Sequence, residues 1–205
     1  IALYLFFFAI GYTLLFTYSK QDIFLWVNQR NSLAADNIFF ALTFLGGGYM
    51  YFIVAGCLLF VSYRNALIAA ISFTLTSSLV QVFKQFIFKD APRPSLYFFE
   101  NTLNLHLVPG NELLCCNSFP SGHTATAFSI ACILTIIFKK NWIGIVGFAF
   151  AASIGYSRIY LAQHFFSDVL LGSLIGVVIS LITYFYVSKT AWLNSKTKLS
   201  LPSRA

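Results

Sequence analysis

Three short clusters hold most of the side chains in this sequence that could do chemistry. Lys84 to Pro94 reads KQFIFKDAPRP, Phe119 to His123 reads FPSGH, and Ser157-Arg158 is followed by five residues, His164, three more residues and Asp168. His164 and Asp168 are four apart at the start of an expected helix, so they share a face. A carboxylate there can accept from one ring nitrogen and leave the other as a nucleophile or base. Arg158 lies six residues earlier and can fold back over the same point. Pro120 suits the first turn of a helix. Ser121 and Gly122 then place a hydroxyl and unhindered N–H groups at a helix N-terminus, a ready anion site, with His123 beside it. Arg93 stands between two prolines and offers the planar fork that phosphate oxygens fit. Lys84 closes an apolar run and can point inward. Each cluster alone also has a plain reading, as a helix cap or as cations snorkelling to headgroups. Together they describe a site for a tetrahedral oxyanion, with one oriented histidine as nucleophile and a second as acid. The acids are scattered and the Cys and His residues lack zinc spacing, so no metal site and no cofactor are expected. Phosphoryl transfer through a phosphohistidine is the chemistry that fits.

The elements that position these residues are membrane helices. Of the 205 residues, 59% are hydrophobic, 9% are charged and 24 are Phe; mean hydropathy is +0.79. That excludes intrinsic disorder, a collagen-like chain and a disulfide-stapled secreted fold. The net charge of +7 fits cytoplasmic loops and anionic headgroups rather than nucleic acid, whose basic footprint is absent. The apolar content supplies about six spans of about 20 residues each. We place them at residues 1–18, 37–63, 66–88, 120–138, 142–160 and 165–187. Ile1 to Tyr18 lacks a basic leader and a cleavage site and reads as a span rather than a signal peptide. Residues 19–36 carry a short apolar piece, Ile23 to Val27, too short to cross and expected at the interface. Gly46-Gly47-Gly48 marks a kink or a close helix contact. Residues 89–119 form a long polar loop, and the basic tail is expected to be poorly ordered.

The expectation is an all-α, six-span transmembrane bundle in one integral-membrane domain, residues 1–205, with its core at about 1–188 and a tail at 189–205. Alternate turns then fall on opposite sides. One side holds Arg64, Lys139, Lys140, Lys189, Lys196, Lys198 and Arg204 and no acid; the other holds every Asp and Glu together with all three clusters. By the positive-inside rule the acid-free side is cytoplasmic and the site faces outward. His106 reads as a surface residue, Cys57 and Cys132 as packing, Cys115-Cys116 as an unbridged pair, and Trp26, Trp142 and Trp192 as an interfacial belt.

At this level the clusters resemble the three signature motifs of the type 2 phosphatidic acid phosphatase superfamily. Pro120-Ser121-Gly122-His123 matches the second in full, and Ser157-Arg158-x5-His164-x3-Asp168 matches the third. The first departs from the pattern: the family spacing ahead of Arg93-Pro94 leads to Phe86 rather than Lys. We carry its lysine role to Lys84, with Lys89 as the alternative. The resemblance implies that His164 attacks phosphorus, Asp168 orients it and His123 protonates the leaving oxygen. Lys84, Arg93, Ser121, the Gly122 N–H and Arg158 would bind the phosphate. It implies a metal-independent lipid phosphate phosphatase of a bacterial cell membrane, acting on the periplasmic or extracellular side. Its partners would be a phosphorylated lipid substrate and membrane lipids. The alternatives are a vanadium-dependent haloperoxidase, against which six spans argue, and a transporter, against which the clustering of charge at one face argues. The sequence does not choose among phosphatidylglycerophosphate, undecaprenyl diphosphate, lipid A and phosphatidic acid, and leaves the oligomeric state open.

Overall fold

The computed structural model describes residues 2–100 and 104–190. Every regular element in it is helical: α1 (Ala2–Thr17), α2 (Lys20–Asn28), α3 (Leu33–Phe44), α4 (Gly48–Leu59), α5 (Tyr63–Val82), α6 (Pro94–Glu100), α7 (Gly122–Phe138), α8 (Asn141–Tyr160) and α9 (Phe166–Ser188). A π-helical turn, Phe83–Ile87, extends α5. The helix starts follow local chemistry. Ser19 Oγ accepts from Asp22 N at 3.1 Å, and Ser32 Oγ accepts from Ala35 N at 3.2 Å; such caps are worth about 1 kcal/mol each. α7 ends on Lys139, in the left-handed conformation at φ 53°, as chains that reverse after a helix commonly do.

Among the described residues three helices are long and apolar enough to cross a membrane alone: α5 with its π-turn, α8 and α9. The count reaches five if each of two bent pairs is one span. In the first pair α2 turns 105° from α1, so nine residues run across the bundle rather than along it, as their length requires. In the second, α3 and α4 meet at 58° around Gly46 and Gly47, where the kink was expected. α7 is apolar but has 17 residues. The stretch expected as a loop, 89–119, contains α6. Trp26 and Trp142 are exposed; Trp192, Lys196, Lys198, Arg204 and most of the tail lie outside the described residues.

α7 lies at the centre and α9 is pressed against it along small residues. A Cβ on Gly172 would stand 2.4 Å from Ser121 O, and one on Gly176 would stand 2.3 Å from Ala125 O. The spacing Gly172-x3-Gly176-x3-Ser180 therefore brings the two backbones into contact, the device by which membrane helices associate when apolar burial supplies no net drive. Below this seam Ser129 Oγ meets Ser180 Oγ at 2.7 Å and Tyr51 OH at 2.9 Å, and Ser72 Oγ meets Ser180 Oγ at 3.0 Å, all buried. Gly155 of α8 packs on Val169 and Thr124. The starts of α7 and α9 and the end of α8 thus share one level of the bundle.

Candidate functional site

The turn from α8 into α9 sets the first part of the site. Ala162, at φ 54°, reverses the chain, and the N–H groups of Gln163 and His164 both donate to Arg158 O, at 3.0 and 3.2 Å. Asp168 occupies the third position of α9, where its Oδ2 accepts from Phe165 N at 3.0 Å, a carboxylate placed where the helix N-terminus favours it. The same Oδ2 accepts from Ser118 Oγ at 2.5 Å and lies 3.4 Å from His164 Nδ1. Oδ1 accepts from Ser167 Oγ at 3.0 Å. With acceptors around Nδ1, the proton belongs there and Nε2 keeps its lone pair free. His164 is 2% exposed. Burial holds its pKa down to about 3; Arg158 and Arg93 act in the same direction and Asp168 against it. The ring is neutral and therefore nucleophilic at ordinary pH.

The second part is the start of α7. Ser121 N donates to Asp168 O at 2.9 Å, which ties the two helix starts together. Ser121 is the cap residue, but its hydroxyl accepts from Thr124 Oγ1 at 2.9 Å rather than from the first-turn backbone. Gly122 opens the helix, and Pro120 sits one residue ahead of the cap rather than inside the first turn as the sequence suggested. His123 lines a cavity of about 280 Å³ with Gly46, Thr76, Ser77, Gln81 and Gly122. The charges acting on His123 are Arg158, Lys84 and Arg93.

The third part comes from the segment between α5 and α7. Residues 115–118 connect everything: Arg93 N donates to Cys115 O at 2.9 Å, Arg93 Nε to Cys116 O at 3.0 Å, and Lys84 Nζ to Asn117 O at 2.6 Å. Asn117 sits in the left-handed region at φ 55°. Its amide nitrogen, facing back, donates to Lys84 O at 2.9 Å and Lys89 O at 2.8 Å. Lys84 shares the field of Arg93, Arg158 and Asp168, whereas Lys89 is exposed. The longer spacing before Arg93 coincides with the π-turn at Phe83–Ile87, since π-turns take up extra residues inside a helix. Arg93 is 6% exposed, and burial lowers its pKa. Arg158 Nη1 donates to Thr43 Oγ1, and its buried Nε has no partner among the described residues.

Lys84, Arg93, Ser121, Gly122, His123, Arg158, His164 and Asp168 therefore converge, and Lys89 does not. Four polar residues that the sequence reading passed over belong with them: Thr43, Asn117, Ser118 and Gln163. Ser118 and Gln163 abut motif residues, which was the available signal; Thr43 gave none. His106 is not a plain surface residue. Its Nε2 meets Asp36 Oδ1 at 2.8 Å, Asp36 also accepts from Tyr160 OH, and Asn28 pairs with the His106 backbone in both directions. Among the described residues no cluster of His, Cys, Asp or Glu could hold a metal ion. A larger apolar groove, about 710 Å³ and lined by Phe7, Trp26, Tyr156 and Phe166 among others, holds none of these groups.

The profile of the PAP2 superfamily matches residues 65–192. The chain belongs to the PAP2 superfamily. The PAP2 region thus begins in α5, and Thr43, which holds Arg158, comes from outside it. Lipid A 1-phosphatase of Porphyromonas gingivalis is 38% identical over 71 residues, covering 34% of this chain and 16% of that protein. Lipid A 4'-phosphatase of Bacteroides thetaiotaomicron is 38% identical over 80 residues, covering 38% of this chain and 36% of that protein. The chain thus matches well under half the length of these curated relatives. The crystal structure of Aquifex aeolicus LpxE is similar over 80% of this chain and 94% of its own, at 32% identity and a TM-score of 0.71. With its apolar helices, this PAP2 protein is an integral membrane protein.

Proposed function

We propose that the chain is a lipid phosphate phosphatase that works through a phosphohistidine, without metal. One observation carries this reading. Lys84, Arg93 and Arg158 gather around one carboxylate, and Asp168 is already engaged by Ser118, Ser167, His164 and the Phe165 N–H. Cations buried without compensating charge are costly, so a bundle that keeps three of them is built to receive an anion.

The geometry supports the following mechanism. The phosphate of the substrate sits against Lys84, Arg93, Arg158 and the N-terminus of α7, where Gly122 lets it approach the backbone. The lone pair of His164 Nε2 attacks phosphorus as the P–O bond to the leaving group breaks. His123 delivers its proton to the leaving alkoxide or phosphate. A water then gives its proton to His123 and displaces His164, releasing inorganic phosphate. Asp168 stabilises the positive charge on His164 throughout. Positioning and electrostatics dominate such transfers, and the cations provide both.

α1, the α3–α4 pair, α5, α7, α8 and α9 make six crossings in this reading, within a single domain. The site then lies on the outward face of a bacterial cell membrane, opposite Arg64, Lys139, Lys140 and Lys189. The similarity to two lipid A phosphatases puts a phosphorylated glycolipid first among substrates. The test is phosphate release from lipid A, phosphatidylglycerophosphate, undecaprenyl diphosphate and phosphatidic acid in detergent with excess EDTA, with acid-labile phosphoenzyme trapped on His164. Turnover in EDTA and vanadate inhibition are expected. Activity lost in EDTA and restored by Mg²⁺ overturns the mechanism.

A further inference from the structure

We infer that Gln163 is the positioning residue for Arg93, and that its being an amide rather than an acid keeps the site positive; the inference rests on the phosphatase reading above. Gln163 falls in the five-residue spacer between Arg158 and His164 and precedes the nucleophile directly. It is 2% exposed, and buried polar groups are hydrogen-bonded. Here both polar atoms of the amide have a partner. Oε1 accepts from Arg93 Nη1 at 2.9 Å, and the backbone oxygen of the same residue accepts from the same Nη1 at 3.1 Å. Nε2 donates to Glu112 O at 2.6 Å, and the backbone N–H donates to Arg158 O at 3.0 Å.

A guanidinium has five N–H groups in a rigid plane. Nε is fixed by Cys116 O at 3.0 Å, and the two acceptors of Gln163 engage Nη1. Nε and Nη1 are thereby held, and no described residue accepts from Nη2. That leaves the Nη2 donors for a phosphate oxygen, in a plane set by the residue one peptide bond from His164. A single residue therefore fixes the relative position of a phosphate donor and the attacking nitrogen. It does so without charge. A carboxylate at this position would pin Nη1 equally well and would neutralise the arginine that must hold a phosphate.

Two substitutions separate these properties. Gln163→Met keeps the volume and removes the side-chain acceptor. It should lower kcat/KM about ten- to hundredfold, the range of one hydrogen bond to a charged group, and weaken vanadate inhibition in parallel. Gln163→Glu keeps the acceptor and adds a negative charge. It should weaken vanadate inhibition at least as much as Met does, with its thermal midpoint unchanged or raised by the new pair with Arg93. In an Arg93→Ala background, measured on an aryl phosphate, Gln163→Met should cost little further, as groups acting through one partner are not additive. Undiminished cost in that background, or wild-type vanadate sensitivity in Gln163→Glu, overturns the inference and leaves the phosphatase reading standing. Should Gln163→Met fail to fold, the Glu variant carries the test alone. A wild-type protein that releases phosphate from no lipid overturns the functional reading, and this inference with it.

Discussion

Gly172 offers a severe test of the geometry, because any side chain there would fall inside ordinary contact distance and the glycine itself contributes none. A methyl group there would stand 2.4 Å from the backbone oxygen of Ser121, whereas carbon–oxygen contacts settle at about 3.3–3.6 Å. The obstacle is backbone and cannot rotate aside, so α7 and α9 must part by about 1 Å to reach that distance. One turn earlier on α9, Asp168 O accepts from Ser121 N at 2.9 Å, and parting the helices stretches that bond beyond useful length. His164 and Asp168 then shift relative to Ser121, Gly122 and His123. A misplacement of about 1 Å in a catalytic constellation costs about 10²-fold. Gly172→Ala should therefore lose about two orders of magnitude in kcat/KM while its helical circular dichroism stays native. The assay is phosphate release from a phospholipid monoester in detergent micelles, with Gly56→Ala as control, since a Cβ at Gly56 meets nothing within 4 Å. A Gly172→Ala enzyme with wild-type kcat/KM would refute the reasoning that couples the seam to the site.

The two histidines should separate by leaving group. His123→Ala should lose about 10²–10⁴-fold on a lipid phosphomonoester, the usual worth of general-acid help, and far less on a nitrophenyl phosphate, while His164→Ala abolishes hydrolysis and phosphoenzyme on both; the opposite pattern reverses the roles. Lys84→Ala should cut kcat/KM strongly and Lys89→Ala mildly, because only Lys84 is held on Asn117 O; the reverse ranking assigns the phosphate to Lys89. Cysteines introduced in a cysteine-free background at Asn104 and Asn141, both exposed, test sidedness in intact cells. An impermeant thiol reagent should label the first and spare the second, and labelling of Asn141→Cys alone inverts the topology.

The candidate catalytic groups were legible because chemistry ties them to short spacings. An Asp four residues after a His, and a His two residues past a helix-capping Ser, constrain each other locally, and the helices carrying them begin and end within a few residues of the expected limits. What stayed hidden depends on distant partners. Gln163 meets Arg93 across 70 residues and Asn117 meets Lys84 across 33, and no periodicity reports such contacts. His106 looked ordinary because Asp36, Asn28 and Tyr160 lie far away in sequence. α6 was missed inside a polar stretch, where seven residues, Pro94–Glu100, show too little pattern to register. The π-turn has the same origin: extra residues look like a broken motif until the helix is seen to absorb them.

The cavity beside His123 has a consequence for how substrate arrives. It runs along α5 from Gln81 past Ser77 and Thr76 to Phe73, bordered by Gly46 and Gly48 where α3 meets α4. That is about two turns down the helix. Meanwhile the loop above the site is stapled: Asn111 Nδ2 to Leu161 O at 3.0 Å, Gln163 Nε2 to Glu112 O at 2.6 Å, and His106 to Asn28 and Asp36. For the lipid phosphate proposed above, a held roof and a grooved side would mean entry by diffusion in the plane of the leaflet, tail alongside α5 and headgroup at His123. Saturation would then follow the mole fraction of substrate among the surrounding lipids, and diluting the same vesicles in buffer should leave turnover per protein unchanged.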